Sequence, residues 1–238
     1  MDTLATLLAL SLLAGASMPV GAALARWDRL HPAVLGPGWR HFIVAFGGGA
    51  LLSAVALVLV PDGAGHVPIW LAAVSFGAGG IVFCLLDIWL GRLQSSAGQM
   101  VAMLSDFIPE AIALGAAFAA GGQTGVLLAL LIVLQNLPEG FNAFEELDGR
   151  GSVSPNRILG VFALLALVGP ASALSGYYLL ADAPAVMGGL MLFASGGILY
   201  LIFEDIAPQA RLERRWTPPL GAVAGFLLGL IGHGLLSG

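Results

Sequence analysis

Two five-residue motifs of one shape stand out in an otherwise apolar chain. They run from Asp106 through Pro109 to Glu110 and from Gln135 through Pro138 to Glu139, 29 residues apart. At 3.6 residues per turn, Asp106 and Glu110 share one face of a helix, as do Gln135 and Glu139 on the next. Proline has no N–H and disfavours the preceding helical bond, so Pro109 and Pro138 each free a backbone carbonyl beside the polar face. Four oxygen-bearing side chains and two carbonyls can then converge within the membrane. A charged side chain at bilayer depth costs about 2.5–3.5 kcal/mol on insertion scales. Arginine falls at the ends of predicted spans and never in their interior, so the compensating cation is a proton or a metal. An all-oxygen set rich in carboxylate suits a hard divalent ion. Asp106, Glu110, Gln135 and Glu139 form the predicted site, with Asn136 as an outer ligand. The plain alternative is that the acids are protonated and only hydrogen-bond helix to helix.

The elements that position these residues follow from composition. The chain has 238 residues, 58% hydrophobic and only 10% charged, with a mean hydropathy of +0.95. That leaves too little polar surface to cover a water-soluble globule. The expected fold is an all-α integral membrane protein with eight transmembrane helices, each able to cross roughly 30 Å of hydrocarbon. Their predicted bounds are 3–26, 39–60, 67–92, 97–119, 125–147, 158–181, 186–210 and 217–236. Connections are short, so residues 1–238 read as one transmembrane domain. The single cysteine, Cys84, has no partner for an internal disulfide and reads as a packing residue. Only Asp2 precedes the first apolar run apart from Met1, so that run reads as a retained helix rather than a signal peptide.

There is no lysine, and all nine arginines lie in loops 1, 3, 5 and 7 of this layout. The positive-inside rule places those loops in the cytoplasm and both termini outside a cell membrane. Phe46, Gly49, Leu52 and Pro61 recur as Phe193, Gly196, Leu199 and Pro208, each displaced by 147 residues. Because the copies lie five helices apart they run oppositely, as in a 3+2+3 inverted repeat of helices 1–3 and 6–8 around helices 4 and 5. Shared glycine-rich composition is the competing explanation, since small residues mark close helix packing in membranes generally. Asp87, Glu145, Glu146, Asp148, Glu204 and Asp205 fall near the predicted cytoplasmic ends. They read as interfacial residues in preference to an acidic exit funnel. Met100, Met103 and His233 read as packing residues, and His31 and His41 as interfacial. No membrane-protease signature or phosphate loop is present.

At the two proline motifs the chain resembles the ZIP (Zrt/Irt-like) family of divalent metal transporters. That family's fourth helix reads His-Asn-x-Pro-Glu-Gly, and the fifth in bacterial members reads Gln-Asp-x-Pro-Glu-Gly. Gln135, Pro138, Glu139 and Gly140 match the fifth helix, with Asn136 in place of aspartate. In the fourth, Pro109 and Glu110 match, while Asp106, Phe107 and Ala111 replace histidine, asparagine and glycine. Related proteins carry a bridging glutamate where this chain has Gly169, and the His-rich loop before the fourth helix is absent. The resemblance implies a transporter rather than an enzyme, a divalent cation such as zinc, manganese, iron or cadmium as substrate, and no organic cofactor. It further implies a homodimer in the lipid bilayer and no nucleic-acid partner. Phe107 and Gly169 remove groups of a second metal position, so one ion per site is expected. The competing classes are a transport-inactive scaffold or metal sensor, and a proton-linked carrier of an organic substrate.

Overall fold

In the computed structural model, the described residues are 3–30, 37–93, 96–121, 123–149, 151, 153–180, 182–210 and 216–237. Side chains at 37, 91–93, 96–102, 106, 123–124 and 236–237 lie outside that description, as do Arg92, Arg150, Arg211, Arg214, Arg215 and His31 among the residues singled out above. Every regular element among the described residues is helical. We number the helices α1 (Thr3–Leu30), α2 (37–65), α3 (Ile69–Leu93), α4 (Ser96–Ala119), α5 (Gln123–Gly149), α6 (Pro155–Leu179), α7 (Pro184–Gln209) and α8 (Leu220–Ser237). Six of them, α1, α2, α3, α5, α6 and α7, are long and apolar enough to cross a membrane, while α8 has a shorter apolar run, Leu220–Leu235. The protein is thus an all-α membrane protein.

The bounds differ from the expected ones where helix ends are held by specific groups. Pro155 and Pro184 start α6 and α7 earlier than expected, each at a position where proline's missing N–H would be unpaired anyway. α1 continues to Leu30 and α2 begins at Pro37, so Arg26, Arg29 and Arg40 stand on helix ends rather than in a loop. Side-chain contacts secure those ends: Arg29 pairs with Asp148, and Arg40 pairs with both Asp28 and Glu145. α6 is interrupted at Ala166 and Leu167. α2 and α7 each contain one π-helical turn, Val55–Leu59 and Ile202–Ile206. These two turns are themselves 147 residues apart, the displacement already seen in the side chains.

Close packing is set by glycine, whose missing Cβ lets backbones touch. The closest pairs are α1 with α5, α4 with α6, α2 with α8 and α3 with α7. In each pair, two glycines oppose two carbonyls reciprocally. A Cβ on Gly21 would lie 2.0 Å from the Leu137 oxygen, and one on Gly140 2.2 Å from that of Met18. The same arrangement joins Gly176 to Ile112 and Gly115 to Ala173, Gly49 to Ala222 and Gly225 to Phe46, and Gly196 to Phe76 and Gly79 to Phe193. Displacing α1 by 155 residues, α2 by 147, α3 by 146 and α4 by 25 carries every contact onto a contact between the other helices. The consecutive Gly47, Gly48 and Gly49 face three different neighbours, Pro138 on α5, Ile206 on α7 and Ala222 on α8.

These contacts sort the helices into two groups of four. α1, α4, α5 and α6 pack together, as do α2, α3, α7 and α8, and the groups meet chiefly along α2–α5 and α4–α7. Phe107, Phe144, Phe162, Leu131 and Ile132 fill the interior of the first group. α3 presents Ile69, Trp70, Val74, Ile81, Leu85 and Trp89 outward, as a lipid-facing helix does.

Candidate metal centre between α4 and α5

α4 and α5 run through Pro109 and Pro138 without a break in either helix. Pro138 is seated against Gly47 of α2, where a Cβ would approach its ring to 2.6 Å. The glycine therefore lets the proline-containing segment of α5 nest into α2. This seating places Gln135 and Glu139 on the turn that faces α4 and its Glu110.

Glu110 and Gln135 are each 1% exposed. The Gln135 amide Nε2 donates to Glu110 Oε2 at 2.5 Å, while Gln135 Oε1 is buried with no hydrogen-bond partner. Glu139 is partly buried and lies close enough to both Glu110 and Asp205 for mutual charge repulsion. Neither Glu110 nor Glu139 pairs with a basic side chain among the described residues. The structure thus brings Glu110, Gln135 and Glu139 together. Asp106 lies on α4 one turn before Glu110, and its side chain is outside the described residues.

Asn136 is directed elsewhere. Its Nδ2 donates to the Ala14 carbonyl of α1 at 3.0 Å, tying α5 to α1, and its Oδ1 is buried and unpartnered. An unpaired buried oxygen is costly, and a cation or a protonated group is the chemistry that satisfies it. Two such oxygens, on Gln135 and Asn136, adjoin one another in the sequence beside the carboxylates. Among the described residues, no three histidine, cysteine, aspartate or glutamate side chains stand together as a metal-holding group. The described part of the predicted ligand set is two carboxylates and a carboxamide oxygen.

Phe107 of α4 and Gly169 of α6 meet in space. The Phe107 ring is 1% exposed and packs on Gly169 of α6, where a Cβ would lie 2.7 Å from Phe107 Cζ and 2.6 Å from the Ser11 carbonyl. The aromatic ring therefore fills the space beside Gly169, and a side chain at 169 would collide with it.

Asp205 is exposed, as an interfacial residue is, and lies within electrostatic range of Glu139, Glu146 and Asp87. The π-helical turn Ile202–Ile206 carries both Glu204 and Asp205, and π-turns widen a helix by one residue, frequently at functional positions. Tyr200 adds an O–H donated to Asp87 Oδ2 at 3.1 Å. The available sequence signal was an acid three residues before a proline, Asp205 before Pro208, a spacing that Asp106 shares with Pro109. No protein-family model matches the chain, and no curated protein matches it either.

Proposed function

We propose that the protein is a ZIP-like carrier that moves a divalent metal cation, of the zinc, manganese or iron class, into the cytoplasm. The observation that carries this reading is the pair Glu110 and Glu139. Two adjacent carboxylates inside a bundle of membrane-crossing helices, with no basic partner among the described residues and an unsatisfied carboxamide oxygen beside them, form a ready place for a cation. Glu110, Glu139, Gln135 and Asp106 would contact the ion, and Asn136 would hold α5 against α1. A merely structural role accounts for Glu110 through its hydrogen bond from Gln135 and leaves Glu139 unexplained.

The architecture proposed with this function is eight spans in a 3+2+3 inverted repeat, α1–α3 and α6–α8 around α4 and α5. The reciprocal glycine contacts, the π-turns 147 residues apart and the matching pairs of helices all support it. The arginine-bearing ends of α1 and α2 would face the cytoplasm, with the start of α1 and the end of α8 outside. Support for that orientation comes from the arginine distribution.

Reconstitution in vesicles tests the function directly. Zinc, manganese, iron, cobalt and cadmium would be offered in turn, and uptake of at least one, abolished in the doubly substituted Glu110→Gln, Glu139→Gln protein, is the expected result. No uptake of any of the five would favour the scaffold reading.

A further inference from the structure

Arg40 stands in the first turns of α2 and reaches two helices of the other group. Its Nη1 donates to Glu145 Oε1 of α5 at 3.0 Å, and its Nη2 donates to Asp28 Oδ2 near the end of α1. Asp28 is fully buried, and its Oδ1 has no partner, so the guanidinium is the group that makes burial of this carboxylate tolerable. A planar fork of donors suits such a two-carboxylate bridge better than an ammonium does. Three neighbouring polar contacts stay within one group each: Arg29–Asp148 joins α1 to α5, Arg26–Asn156 joins α1 to α6, and His41 with the Gln209 carbonyl joins α2 to α7.

Among the described residues, the opposite end of the molecule shows no ion pair equivalent to this bridge. The residue displacements that relate the glycine contacts carry Arg40 to Met187, Asp28 to Ala183 and Glu145 to Ala120, none of them charged. Among the described residues, the charge bridge between the two helix groups is therefore not repeated at the symmetry-related positions.

We propose that Arg40 is an ionic latch between the two helix groups, holding the arginine-bearing ends of α1 and α5 against α2 and setting the resting conformation of the carrier. This inference rests on the carrier reading, because a carrier opens its central site to one side at a time. Opening at the arginine-bearing end separates Arg40 from Asp28 and Glu145. The bridge thus biases the resting population toward the state closed at that end, by as much as the two states differ in this contact.

Spin labels at Trp39→Cys on α2 and Gly149→Cys on α5, in a Cys84→Ser background, report the separation of the latched ends by pulsed electron resonance. The parent protein is expected to give one dominant short distance. Arg40→Gln or Glu145→Gln should raise the long-distance population at least threefold, with Arg40→Lys in between. Glu145→Gln removes the more exposed partner, so it serves if Arg40→Gln does not fold. A distance distribution unchanged in the folded variants overturns the latch. A second measurement joins Trp39→Cys to Gly149→Cys with a bifunctional thiol reagent carrying a reducible linker, which should stop metal uptake until the linker is reduced; uptake unaffected by a formed cross-link also overturns the proposal. Absence of uptake in the parent with a shifted distribution in Arg40→Gln would sink the carrier reading while leaving the latch intact.

Discussion

At the level of single residues, charge and volume decide the site. Glu110→Gln and Glu139→Gln keep the shape and much of the hydrogen bonding but remove the negative charge. Each should lower metal uptake more than tenfold, a difference of at least about 1.4 kcal/mol in the rate-limiting interaction. Tritiated or fluorescent-indicator flux, with gel filtration to confirm a folded protein, measures it; near-parental uptake by both variants refutes a transport site at these carboxylates. Gly169→Ala tests the packing next to the site, because its Cβ would meet the Ser11 carbonyl and the Phe107 ring at 2.6 and 2.7 Å. Overpacking of this kind typically costs about 1–3 kcal/mol. Gly169→Ala combined with Phe107→Leu should recover part of the lost thermal stability in detergent, since the ring is one of the two obstructions.

Whole helices are located by their glycines. Gly49 of α2 faces the Ala222 carbonyl with room for no Cβ, whereas Gly77 of α3 has nothing within 4 Å. Gly49→Ala should therefore lower the melting temperature or prevent recovery of folded protein, and Gly77→Ala should be neutral or slightly stabilising. Equal effects in the two variants would mean that α2 and α8 do not approach as described. The same comparison applies to Gly196 of α7, whose Cβ would lie 1.9 Å from the Phe76 carbonyl. The π-turns in α2 and α7 sit directly before Pro61 and Pro208, where an extra residue per turn accommodates the missing proline donor.

For the whole molecule, two expectations combine the site with its surroundings. In the proposed carrier, metal would displace protons from Glu110 and Glu139, so binding should release protons and weaken as the solution is acidified. With Phe107 occupying the space beside Gly169, one ion should bind per chain. Calorimetry in buffers of different ionisation enthalpy reads both quantities, and two tightly bound ions with no proton release would contradict them. Orientation is tested separately: a label at the start of α1 should react with an impermeant reagent from outside the cell, and one at Gly149 should not. The reverse pattern would invert the proposed direction of transport.

The sequence alone determined the solvent of this chain and its helical character, because a 58% hydrophobic composition admits few other folds and proline–glutamate steps are conspicuous against it. It also showed the 147-residue displacement that the π-turns later shared. Helix ends were less legible, since Arg26, Arg29 and Arg40 look like loop residues until Asp28, Glu145 and Asp148 arrive from other helices to pair with them. Asn136 shows the same limit. Its position next to Gln135 gives no hint that its amide turns to the Ala14 carbonyl, because α1 is more than a hundred residues away in the chain. Only the tertiary structure brought Asp205 within electrostatic range of Glu139 and Phe107 onto Gly169, as both relations join helices whose approach depends on where opposing backbones find a glycine. Local spacing fixes which side chains share a helical face; which faces meet is decided by packing between distant segments.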